Sequence, residues 1–167
     1  MITLLVLQAL LTPVKDTSAF LRAVPAIIDV ALTEFSVSSG ERLAINTMSF
    51  AVLGSEVSDE VVTRNQIEEA IDRDFEDVEP GSSVTCSDRR SSQSTRECQT
   101  FANGLYVGLS GLLRMPMGYE VTLVVKKTRN NALGGRGVSS RIIRFVLRYG
   151  NSTWSVENRT VVAQAVY

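Results

Sequence analysis

The chain is 167 residues long, 44% hydrophobic, and close to charge balance, with 17 basic and 18 acidic side chains. Such a length and apolar fraction imply one folded domain with a substantial core and exclude a wholly disordered chain. The absence of histidine excludes Ser-His-Asp and Cys-His catalysis, His-ligated metals and an ordinary switch near neutral pH, and two cysteines are too few for a four-cysteine zinc site.

Residues 2–11 form an apolar run, ended by Thr12-Pro13-Val14-Lys15-Asp16. The run is too short to span a bilayer, so no transmembrane helix is expected. It reads as an apolar arm. A secretory leader cut near Thr17-Ser18-Ala19 is the alternative, although a leader ordinarily begins with basic residues and none precedes this run. Phe20, Val24, Ile27, Ile28 and Ala31 then recur every three or four positions, the mark of an amphipathic helix. Pro25 either kinks that helix or opens a shorter one. Residues 1–32 are read as the arm and its helix, and residues 33–167 as a single domain.

Residues 33–38 and 43–53 are rich in β-branched and alternating apolar side chains and flank Ser38-Ser39-Gly40-Glu41, which predicts a β-hairpin. Thr63-Arg64-Asn65-Gln66 has the capping-box pattern, with Val62 and Ile67 as its hydrophobic staple. A helix is predicted over 64–77, burying Ile67, Ala70, Ile71 and Phe75 and stopping before Pro80-Gly81. Asp72, Asp74 and Glu76 alternate as calcium ligands do, but Asp77 stands where a calcium loop needs glycine.

Cys86 and Cys98 lie symmetrically about a serine-rich loop. In a hairpin they face each other at disulfide distance, which points to an oxidising compartment. Two reduced cysteines are the alternative. A helix over 100–113 competes with the second strand of that hairpin, although Gly104, Gly108 and Gly111 weaken it. Three strand-like runs follow, at 119–129, 140–149 and 153–166. Gly150-Asn151 predicts a tight turn between the last two. Within them Ile143, Phe145, Leu147 and Tyr149 share one face, and Ile142, Arg144, Val146 and Arg148 the other. Gly134-Gly135-Arg136-Gly137 joins two strands and lacks the Gly-Lys-Ser/Thr of a phosphate loop. Asn151 and Asn158 each begin a glycosylation triplet, and Asn151, in a turn, is the better acceptor.

The fold class is therefore α+β: a mainly antiparallel sheet with one or two packed helices and an apolar N-terminal arm. No nucleophile elbow, Ser-x-x-Lys or zincin motif is present; no enzymatic activity, cofactor or metal is expected. Residues 1–113 hold 8 basic and 16 acidic side chains, a net charge of −8, and residues 114–167 hold 9 and 2, a net of +7. Opposed patches favour head-to-tail self-association. The leading expectation is a structural or adhesion subunit of an extracellular or surface assembly, a homo-oligomer. Its contacts would use Leu4, Leu5, Phe20 and Val24 of the arm, Glu68, Glu69 and Asp72 of the acidic face, and Arg141, Arg144 and Arg148 of the basic one. One alternative is a nucleic-acid-binding or capsid-type protein using a basic hairpin over 119–149, with Lys126, Lys127, Arg129 and Arg136 added to Arg144 and Arg148. Another is a monomeric secreted module binding a ligand in an apolar pocket.

Overall fold

A computed structural model describes residues 18–37, 41–78, 104–130 and 136–166. Among these residues the chain forms three helices and six strands: α1 (Ala19–Glu34), β1 (Arg42–Ile45), α2 (Thr47–Val57), α3 (Arg64–Ala70), β2 (Glu76–Asp77), β3 (Gly104–Met115), β4 (Gly118–Asn130), β5 (Arg136–Gly150) and β6 (Thr153–Val166). The strands make one sheet in the order β2-β1-β3-β4-β5-β6. The α+β class holds, and the sheet is largely antiparallel. It is mixed, however, because β1 runs parallel to both β2 and β3. The connection from β1 to β2 passes through α2 and α3, which gives the chain the length a parallel return needs.

The hairpin predicted over 33–53 does not form. Residues 33 and 34 finish α1, and only 42–45 are strand. The reason is a local cap joined to a long-range contact. Asn46 accepts the Ser49 amide at 3.0 Å and so caps α2. Thr47 reaches across to Asp77, its hydroxyl donating at 2.7 Å. These polar contacts start a helix at the point where apolar alternation alone reads as a strand. The capping box at Thr63 and Gln66 is present as predicted. The helix it starts ends at Ala70 rather than near 77, and Glu76 and Asp77 pair with β1 instead. The competing helix over 100–113 is also absent, since residues 104–115 form β3.

The helices pack on one face of the sheet. α1 exposes a stripe through Ala19, Arg22, Pro25, Asp29 and Thr33 and buries Phe20, Ala23, Val24, Ile27, Ile28 and Ala31. Pro25 falls on the exposed stripe, and α1 continues through it. α2 contributes Phe50 and Ala51, and α3 contributes Ile67. They meet Leu105, Val107 and Leu109 of β3, Val121, Leu123 and Val125 of β4, and Ile143, Phe145 and Leu147 of β5. The predicted parity of β5 is the observed one. α1 belongs to this same core, so the stretch 19–32 is not a separable arm; residues 1–17 lie outside the described residues.

Candidate functional site

Among the described residues β6 is the last strand of the sheet and pairs with β5 alone. The turn that leads into it is Asn151-Ser152, both in the left-handed region with φ of 51° and 62°. It is one residue later than the sequence predicts. Two left-handed residues in a two-residue hairpin match the twist of the flanking strands. The 14 residues of β6 are exposed along both faces, with only Trp154 and Ala165 half-buried. Trp154 is anchored by Tyr149 and Tyr119, at ring-centroid distances of 5.0 and 6.0 Å. Val156, Val161, Val162 and Val166 remain in solvent, 43 to 71% exposed. Its two charged residues are neutralised within the chain. Glu157 pairs with Arg148 at 2.7 Å, and Arg159 pairs with Glu34. The register of β6 against β5 shifts twice, beside Asn158 and beside Val162, and Asn158 has φ of 51°. Those bulges bend the strand and keep it from being a flat template.

The residues singled out from sequence fall in different places. Phe20 and Val24 are fully buried in this chain's own core; they cannot meet a neighbour without unfolding α1, which corrects their assignment to an intermolecular contact. Leu4, Leu5, Cys86 and Cys98 lie outside the described residues. Glu68 pairs with Arg64 at 3.0 Å, while Glu69 and Asp72 are exposed. Asn151 and Asn158 are both exposed.

The three arginines of the expected basic patch are not on one surface. Arg141 shares the parity of Ile143 and so faces the helices. There it pairs with Glu34 and lies 4.9 Å over the Phe35 ring. Arg144 and Arg148 point to the opposite face of the sheet, which no described element covers. Strand parity carried two residues further back separates Arg141 from the other two. The same alternation buries Lys127, which pairs with Glu41 at 3.0 Å and donates to the Phe35 carbonyl. Lys126, on the uncovered face, lies over the Tyr106 ring at 5.6 Å, and Glu120 and Glu157 interrupt the basic residues there. The side chains of Arg129 and Arg136 lie outside the description.

A pattern joins these placements. Four ion pairs link the acidic first part of the chain to the basic last part: Asp59–Arg114, Glu41–Lys127, Glu34–Arg141 and Glu34–Arg159. Glu34 is the centre of this seam, its side chain only 6% exposed between two guanidinium groups. The charge asymmetry of the sequence is thus met in good part inside the fold, where the helical layer lies on the sheet. No sequence signal marks Glu34, because its partners are more than a hundred residues away.

Among the described residues no three carboxylates or cysteines come together to hold a metal ion. No described helix is long and apolar enough to cross a membrane. Comparisons with protein-family models, with curated proteins and with solved structures find no match.

Proposed function

We propose that this chain is a non-enzymatic structural subunit of an extracellular or surface assembly, and that β6 joins it edge to edge to a second copy of itself. The observation that carries the reading is the open β6 edge: 14 residues long, with four exposed valines, and without a covering element among the described residues. An unpaired strand edge is a template for another strand. The charge on β6 selects the partner. With Glu157 and Arg159 already neutralised within the chain, a strongly acidic or basic partner finds no counter-charge along this strand. A second β6 is equally neutral and exposes the same valines. It also carries the same bends, so two copies related by a two-fold axis follow each other in an antiparallel pairing.

Light scattering over a dilution series tests the reading. The parent chain dissociates on dilution, and Val156→Lys with Val162→Lys gives a monomer with unchanged melting, because both positions are solvent-exposed and lysine blunts a strand edge. A parent that is strictly monomeric at every concentration and ionic strength would sink the proposal. The glycosylation triplets supply a second check. A glycan on Asn158 would stand in the path of the incoming strand, whereas Asn151 lies in the turn. In the native protein the reading expects at most one glycan, on Asn151. Intact mass with and without reduction reads the proposed Cys86–Cys98 disulfide in the same experiment.

A further inference from the structure

The N-terminus of α1 opens into a cleft of about 260 Å³, between that helix, the turn after α2 and the adjoining ends of β3 and β4. Ser18, Arg22, Asp59, Glu60, Arg114 and Tyr119 are among the residues around it, two basic and two acidic side chains. None of the residues lining it belongs to β6, and its chemistry differs from that of the β6 edge.

Three features of the cleft converge. The first is an uncapped helix start. Ser18 makes no side-chain hydrogen bond to the first turn of α1, and that turn contains no acidic residue. The Ser18 hydroxyl turns instead to the Ser58 hydroxyl at 3.3 Å. The first-turn amides of a helix have no intrahelical acceptor and carry the positive end of its dipole. The second is Tyr119. Its residue is 5% exposed and lines the cleft, and among the described residues its contacts are the ring contacts with Phe20 and Trp154. The ring is buried but the hydroxyl is not among the buried unpaired polar atoms, so it is open to the cleft, where its donor is available to a ligand. Burial pushes the Tyr119 pKa above the ordinary tyrosine value, with Arg114 and Arg22 pulling weakly the other way. Near neutral pH the group is therefore a donor. The third is Arg114. It already holds a carboxylate, that of Asp59, at 3.1 Å. Both ends of this pair are largely exposed, so the contact is weak and exchangeable.

We propose that this cleft binds a small oxyanion, a carboxylate or a phosphate group. The first-turn amides of α1, the Tyr119 hydroxyl and the Arg114 guanidinium receive it. Asp59 is the chain's own competitor for that guanidinium.

Trp154 is the only tryptophan in the chain, and its ring centroid lies 6.0 Å from that of Tyr119. Its emission therefore reads the site. The full chain is titrated with sodium phosphate and, separately, with sodium acetate, at constant ionic strength made up with sodium chloride. A saturable change in emission is expected, with a matching rise in melting temperature. Tyr119→Phe keeps the ring contacts and removes the donor, and weakens binding about tenfold, the effect of one hydrogen bond to a charged group. Arg114→Gln weakens it at least as much, and Asp59→Asn tightens it severalfold. Saturation by phosphate alone assigns a phosphate group, and saturation by acetate alone assigns a carboxylate; either supports the proposal. No saturable response to either anion overturns it. So does a response that both Tyr119→Phe and Arg114→Gln leave unchanged, or an Asp59→Asn chain that binds more weakly than the parent.

Discussion

Gly54 shows how a single missing side chain sets the distance between two helices. It lies on the buried stripe of α2 with Phe50 and Ala51. A Cβ at that position would enter the ring of Phe20, which is fully buried in α1. Two effects oppose each other in Gly54→Ala. Alanine favours the helix by about 1 kcal/mol, while forcing a methyl into a filled core costs about 1–3 kcal/mol. Phe20 is also held edge-on against Tyr119, with centroids 5.8 Å apart, so the ring has little room to withdraw. The clash wins, and Gly54→Ala is expected to lower stability by about 1–2 kcal/mol in denaturant unfolding. Phe20→Leu in the same chain should recover part of that loss, because the two sites share one contact. A Gly54→Ala chain more stable than the parent would show that the helices are not packed at this point. In sequence, Gly54 gave no such signal: a lone glycine in an apolar run says nothing about what lies opposite. Phe20 was legible as buried, but the surface it is buried against was not.

At the scale of elements, the features legible in the sequence were those with a local cause. The capping box of α3 satisfies its own amides from four consecutive residues: the Gln66 side chain accepts the Thr63 amide at 2.9 Å, and the Thr63 hydroxyl accepts the Gln66 amide at 3.3 Å. β4, β5 and β6 were legible because long runs of alternating and β-branched residues leave one pairing pattern. The failures came where a distant group decides the outcome. α2 begins at Thr47 because β3 and Asp77 hold its start: the Asn46 amide donates to the Val107 carbonyl at 3.0 Å, and Asp77 accepts from Thr47. α3 ends early because Glu76 and Asp77 are taken by β1. The parallel strand pairs follow from the same long-range fit, and alternation within a strand carries no direction. Since α3 has only seven residues, its packing through Ile67 depends on that cap. Thr63→Ala is expected to lose about 1 kcal/mol, read as a fall in melting temperature of about 2–4 °C for a chain of this size. A loss below a few tenths of a kcal/mol would mean that the tertiary contacts of Ile67 hold the helix without its cap.

For the whole molecule, the question is where the opposed charges of the two parts of the chain meet. If they meet between copies, salt dissociates an assembly and leaves each subunit's own stability unchanged. If they meet inside the fold, salt weakens the subunit itself. The seam of Glu34, Glu41 and Asp59 against Arg141, Arg159, Lys127 and Arg114 places several of them inside. The members of that seam do not weigh equally. The Asp59–Arg114 pair is open to solvent, with side chains 89% and 60% exposed, and contributes little. The Glu41–Lys127 pair and the Glu34 cluster are mostly withdrawn from water and are screened less. What salt removes is therefore the exposed pair and the longer-range attraction between a layer of net negative charge and a sheet of net positive charge. Raising sodium chloride from low concentration to about 0.5 M, where the Debye length falls to roughly 4–5 Å, is expected to lower the unfolding free energy of the dissociated chain by about 1 kcal/mol. Glu34→Gln should cost more, about 2–3 kcal/mol, because it leaves the half-buried Arg141 without its carboxylate, and that loss should change little with salt. Chemical unfolding in urea, which adds no ions of its own, separates the two terms. A dissociated chain whose stability rises with sodium chloride would place the attraction between copies instead, and would return the acidic and basic surfaces to the role of assembly contacts.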